Sequence, residues 1–96
     1  MRLILTHENA DFDAIASQMA AHKLYPDAVP LLPRRINRNV EQFLTLYWDA
    51  FSFTRPADWK RQRVESVVLV DTQTFNNVRG MVRQPRVCVF DHHAPR

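Results

Sequence analysis

The chain has 96 residues, with 13 Lys and Arg against 10 Asp and Glu, one Gly and one Cys. That length holds at most one domain with a modest core. There is no apolar run of the roughly 18 residues a membrane span needs, and the early polar residues do not suit a signal peptide. One cysteine excludes a disulfide framework or a thiolate zinc site and fits a reducing cytoplasm. One glycine excludes the glycine-rich phosphate loops, and a net charge of +3 permits an anionic partner without requiring one.

Leu3-Ile4-Leu5 is a short apolar run that leads into the polar stretch His7 to Asp13. From Asp13 the pattern changes. Ile15, Met19, His22 and Leu24 recur near the helical period among alanines, which predicts a helix over about 13–24, capped by Asp11 or Asp13. Residues 28–32 are apolar but contain Pro30, which allows an edge strand at best. A basic loop with Arg34, Arg35 and Arg38 follows. Asn39 is then a candidate cap for a second helix with Val40, Phe43, Leu44, Tyr47 and Trp48 on one face. Residues 51–63 read as irregular. Ser66 to Val70 is nearly all β-branched, as a buried parallel strand requires. Thr74 to Arg83 reads as a weak helix with Phe75, Val78 and Val82 on one face, and Arg86 to Phe90 as a second buried strand, with Cys88 pointing inward. The alternation predicts an α/β fold: a parallel sheet of about four or five strands with helices on both faces.

Three of these strands end alike. Leu3 to Leu5 leads to His7, Asp11 and Asp13; Val67 to Val70 leads to Asp71; Val87 to Phe90 leads to Asp91, His92 and His93. Ligands of open parallel sheets bind at the carboxyl ends of the strands. Neighbouring strands lie about 4.8 Å apart, so three ends converge within roughly 10 Å. Carboxylates that close repel one another unless a cation sits among them. An oxygen and imidazole donor set without thiolate suits manganese, iron, zinc or magnesium, and its many carboxylates favour manganese. A carboxylate on a central strand, such as Asp71, can bridge two ions. Two ions about 3.5–4 Å apart activate water and clamp a phosphoryl group in line. The chemistry expected is hydrolysis of a phosphoester or phosphoanhydride.

The same residues carry a family resemblance. Thr6-His7-Glu8-Asn9-Ala10-Asp11-Phe12-Asp13-Ala14-Ile15-Ala16-Ser17 resembles the first motif of the DHH phosphoesterases, His-x-x-Pro-Asp-x-Asp-Ala-x-x-Ser. Val70-Asp71-Thr72 resembles the second, and Asp91-His92-His93 is the motif that names the family. The resemblance implies that His7, Asp11 and Asp71 hold one metal and that Asp13, Asp71 and His92 hold the other, with Asp71 bridging. It also implies that His93 meets the scissile phosphate and that Asp91 orients a histidine by hydrogen bond. The implied cofactors are two manganese ions, with magnesium as the alternative. The implied substrate is a single-stranded nucleic acid, an oligonucleotide or a nucleotide.

Ala10 stands where the family has proline, and neither a fourth aspartate motif nor a C-terminal substrate domain is present. The resemblance therefore implies an N-terminal piece of a larger protein, with uncovered surface that favours a homodimer. The first motif also resembles a subgroup in which a DHH domain precedes CBS modules and a tRNA nucleotidyltransferase or poly(A) polymerase-like domain. Within such a protein the rival reading is a nucleotide- or RNA-binding module that does not turn over.

Simpler readings accompany each residue. Asp11 and Asp13 can merely cap a helix, and His92 and His93 can be a solvated chain end. Arg34, Arg35 and Arg38 read first as a solvated loop and second as phosphate contacts. The aromatic residues from Phe43 to Trp59 read first as core and second as a base-stacking surface.

Overall fold

The computed structural model describes residues 1–72 and 74–90. Its elements are β1 (Arg2–Leu5), α1 (Phe12–Leu24), β2 (Val29–Pro30), α2 (Arg38–Leu46), 3-10 turns at Trp48–Ala50 and Pro56–Asp58, β3 (Val64–Val70) and β4 (Met81–Phe90). The four strands form one sheet in the order β2-β1-β3-β4, with every pair parallel. This is the α/β architecture that the alternating pattern predicts.

The central pair sets the layers. Leu3 lies beside Val67 and Leu5 beside Leu69, while Ile4 lies beside Val68. Successive side chains point to opposite faces of a strand, so the pair presents two apolar faces. Leu3, Leu5, Val67 and Leu69 pack with Leu31 and Trp59 on one side. Ile4, Val68 and Val70 pack with Ala21 of α1 and with Ala28 on the other. The near-continuous apolar run of β3 is what burial on both faces requires.

Helix α1 begins one residue before the predicted start, but its buried face differs. The expected face carries Ile15, Met19, His22 and Leu24, whereas the buried residues are Ala14, Ile15, Ser17, Gln18 and Ala21, and Leu24 is 65% exposed. Small side chains let the helix lie close to the sheet. Gln18 then reaches through that contact: its Nε2 donates to the carbonyls of Ile4 at 3.0 Å and Leu31 at 2.9 Å. Both acceptors are backbone groups that would otherwise compete for fewer donors in a buried layer.

The second helix starts at Arg38, and its cap is Asn37, not Asn39. The Asn37 carboxamide oxygen accepts from the Asn39 amide at 2.9 Å, so Asn39 supplies the donor that the cap satisfies. Val40 and Leu44 are fully buried against α1 residues Ala14 and Ile15. Phe43 meets Phe12, Tyr47 and Phe51 at ring-centroid distances of 5.7, 5.0 and 5.8 Å. The rings touch one another, but Phe12 and Tyr47 are 51% and 54% exposed, so the core reading holds for Phe53 and Trp59 and fails for Tyr47, which lies on the outer side of the cluster.

The segment after β3 departs most from expectation. Residues 74–78 are irregular and 79–80 form a turn, where the pattern predicts a helix over 74–83. Phe75 and Val78 nonetheless pack on the Leu3 face, so the apolar spacing is satisfied by a crossover that carries no helix. Val82 has passed into β4. That strand is longer than the predicted 86–90 because pairing begins at Val64 with Met81, and β3 then advances from 64 to 66 while β4 advances from 81 to 86. Pro85, which has no amide hydrogen, falls inside this bulge.

β4 is also not buried as predicted. Val87 and Val89 are 50% and 53% exposed, and Cys88 is exposed with Sγ 3.5 Å from the Tyr25 hydroxyl. Among the described residues β4 is the sheet edge, so an apolar composition alone does not bury it.

Gly80 closes the crossover. Its φ is +92°, and a Cβ there would collide with the Gln62 carbonyl oxygen. Its own carbonyl accepts from the Val64 amide at 2.9 Å, at the start of the β3–β4 pairing. Gly80→Ala is expected to destabilise the fold by about 2–4 kcal/mol. A urea-unfolding midpoint equal to that of the parent would show that the turn tolerates a side chain.

Candidate metal centre

The polar residues that follow β1 and β3 meet at one sheet edge. Thr6 is buried, and its hydroxyl donates to the Val70 carbonyl at 2.8 Å, tying the two strand ends together. The next residue on each strand then faces the other: His7 Nε2 lies 3.2 Å from Asp71 Oδ2. Asp11 completes the group. One ligand atom from each of His7, Asp11 and Asp71 lies within 4.8 Å of the others.

The imidazole is oriented from behind. His7 Nδ1 lies 2.8 Å from the Glu8 carbonyl, which can only accept, so Nδ1 carries a proton. Nε2 is then the nitrogen presented to the carboxylates. A backbone acceptor on the remote ring nitrogen is the usual way of fixing a metal-binding imidazole. The Glu8 carboxylate anchors this loop in turn. It accepts from the Arg35 amide at 2.9 Å and from Asn76 Nδ2 at 3.2 Å.

Asp11 does two jobs. Its Oδ1 accepts from the Ala14 amide at 2.9 Å and caps α1, so the capping reading holds. A carboxylate has two oxygens, so capping leaves acceptor capacity for a cation. The capped helix also directs the positive end of its dipole towards this edge, which favours an anion there. Asn9 and Asp71 both take φ +57°, a left-handed conformation that Asn and Asp enter more readily than other residues with side chains.

Two carboxylates and one imidazole, all oxygen or nitrogen donors, fit a hard or borderline divalent cation. The same proximity acts on the imidazole when a proton is there instead. His7 is held above its ordinary pKa of 6.5, first by the Glu8 carbonyl and then by the hydrogen bond and charge of Asp71 and the charge of Asp11, against a lowering by partial burial. A raised folded-state value means that the imidazolium stabilises the fold below pH 6.5 and that this contribution is lost as pH rises through the folded value.

Other expected residues lie elsewhere. Asp13 stands exposed in the first turn of α1, outside the group of three. Asp91, His92 and His93 lie outside the described residues. Arg34, Arg35 and Arg38 are exposed, and Arg35 contributes through its backbone amide. Sequence reasoning missed the supporting roles of Thr6, Glu8 and Asn76. Thr6 bonds Val70 across 64 residues, and the Glu8 carboxylate bonds Arg35 and Asn76 across 27 and 68, so no local pattern marks these contacts.

The family described as "DHH family, N-terminal domain" matches residues 2–96. The chain belongs to the DHH family. It is 35% identical over 99 residues to an A-adding tRNA nucleotidyltransferase of Geobacter sulfurreducens, covering 97% of this chain and 11% of that protein. It is 28% identical over 92 residues to an A-adding tRNA nucleotidyltransferase of Aquifex aeolicus, covering 96% of this chain and again 11% of the relative. The chain therefore spans about a tenth of the length of these relatives. No solved structure matches it significantly. The DHH domain and its link to tRNA nucleotidyltransferases agree with the resemblance carried by the motifs.

The hydrogen bond to Asp71 gives a direct test. In metal-free protein, Asp71→Asn is expected to lower the His7 titration midpoint measured by NMR. A midpoint unmoved by the substitution would show that the two side chains do not interact in solution.

Proposed function

We propose that this domain is a metal-dependent phosphoesterase that hydrolyses phosphodiester bonds of a nucleic acid or nucleotide. The observation that carries the reading is the convergence of His7, Asp11 and Asp71 on one sheet edge, with His7 Nε2 aimed at a carboxylate and its Nδ1 proton fixed behind it.

In this reading His7, Asp11 and Asp71 would hold one divalent ion. Asp71, with Asp13 and His92, would hold a second, as the family motif implies. Manganese fits the donor set best and magnesium is the alternative. When bound, the pair supplies Lewis acidity and an activated water for in-line attack at phosphorus. The chain's own groups do the rest. The Glu8 carbonyl keeps the His7 proton on Nδ1 and so keeps Nε2 available. The α1 N-terminus favours the phosphate anion at the same edge. His93 follows the family motif as the group that meets the scissile phosphate and protonates the leaving oxygen.

The names of the relatives suggest where such a domain works. We infer that it is one part of a longer protein related to A-adding tRNA nucleotidyltransferases, acting beside their nucleotide-adding activity. RNA ends or short oligonucleotides are then natural substrates.

Manganese-stimulated cleavage of a labelled oligoribonucleotide by the full-length protein tests the reading. Chelation by EDTA is expected to abolish it. Asp71→Ala is expected to reduce it by roughly 100-fold or more, since even outer partners of metal ligands cost about 10–100-fold. Asp71→Asn, which keeps the shape, controls for folding and is expected to lose activity with an unchanged melting curve. Equal cleavage by parent and both variants would remove Asp71 from the site. Manganese binding without any cleavage would favour the module that does not turn over.

A further inference from the structure

A cleft of about 270 Å³ opens next to the metal group. Thr6 and Glu8 line it, and His7, the metal-group residue, is the one between them. Glu8, which lines the cleft, also accepts the His7 Nδ1 proton on its carbonyl at 2.8 Å, so the cleft wall and the metal group are in direct contact. Its volume falls just below the roughly 300–1,000 Å³ typical of small-molecule pockets, so it suits one ring system and not a large ligand.

The walls are built and held before any ligand arrives. Trp59 is 6% exposed; its Nε1 donates to the Arg79 carbonyl at 3.0 Å, and Arg79 Nη2 donates back to the Trp59 carbonyl at 3.0 Å. This reciprocal pair fastens one wall to the crossover. Glu8 fastens the other, through Asn76 and the Arg35 amide. Pro56, Phe75 and Val78, each half-buried, give apolar surface above the buried Trp59. Asn77 and Arg34 are exposed residues of the same lining. A carboxamide presents a donor and an acceptor side by side, which matches the edge of a base. A guanidinium pairs with phosphate oxygens or stacks on a ring. A ligand with a flat apolar body, a polar edge and a phosphate at the adjoining metal group is a nucleotide. A bare sugar phosphate leaves the apolar walls unfilled, and an apolar ligand leaves the amide unmatched.

We propose that this cleft is a nucleobase subsite, which takes the base of the nucleotide whose phosphate lies at His7, Asp11 and Asp71. Asn77 reads the base edge and Arg34 holds the ligand at the mouth. The inference rests on the phosphoesterase reading for the placement of the phosphate alone.

Photolabelling of the full-length protein with 8-azido-AMP in the presence of manganese tests it; AMP has no phosphodiester bond, so no turnover is read. Labelled peptides are expected to carry residues 31–34 or 75–79. Excess AMP is expected to suppress the label and excess ribose 5-phosphate is not. Asn77→Ala is expected to reduce labelling there roughly tenfold, in line with the loss of a good amide–base pair. Asn77→Trp, which fills the cleft from an exposed position, is expected to abolish it, and manganese affinity by calorimetry stays unchanged in both. Label confined to other segments overturns the subsite. So does label on these peptides that survives both substitutions. The two readings fail separately: labelling here without phosphodiester cleavage defeats only the phosphoesterase reading, and cleavage with labelling elsewhere defeats only the subsite.

Discussion

The parallel pairing of β1 with β3 is the constraint on which the site depends. Leu3 lies beside Val67 and Leu5 beside Leu69, an offset of 64 positions. The same offset relates Thr6 to Val70 and His7 to Asp71, whose hydrogen bonds span 64 residues. The metal group is therefore the continuation of a strand register past the end of the strands. A one-residue slip would exchange the two faces of β1 and part His7 from Asp71. The burial of Leu3, Ile4, Val67, Val68 and Leu69 makes that slip costly. Core packing and ligand placement are in this sense one specification.

Around this register the loops add orientation. The Thr6 hydroxyl closes the gap between the strand ends, the Glu8 carbonyl sets the imidazole, and the Glu8 carboxylate ties three loops to one another. Asp11 links the site to helix α1 by capping it. Asp71 sits in a left-handed conformation directly after β3, with its carboxylate 3.2 Å from the His7 ring. Sites built on strand ends and a helix cap keep their donors near one another before a ligand binds, which lowers the reorganisation needed on binding.

The described fold also leaves one edge less finished. β4 presents Val87 and Val89 half exposed and begins with a bulge around Pro85. The crossover before it is irregular, yet it buries Phe75 and Val78 and frames the cleft beside the metal group. Where a helix would have presented one face at fixed intervals, an irregular segment brings Asn76 to Glu8 and Arg79 to Trp59.

Much of this was legible in the residues alone. The β-branched run of β3, the alanine-rich helix, the proline-limited β2 and the acid and imidazole groups after the strands each follow from local chemistry and period, so the α/β class and the DHH motifs could be read without coordinates. The buried face of α1 could not, because small residues pack closely in a way hydrophobicity does not mark. Nor could the Asn37 cap, the helix-free crossover or the exposure of β4, because each depends on what a neighbour covers or donates. The sequence by itself determined which donors stand at the strand ends. Only the tertiary structure decided that His7, Asp11 and Asp71 share one point and that the Glu8 carboxylate is tied to Asn76, because contacts across 64 and 68 positions arise from strand register and loop packing, which no local pattern encodes.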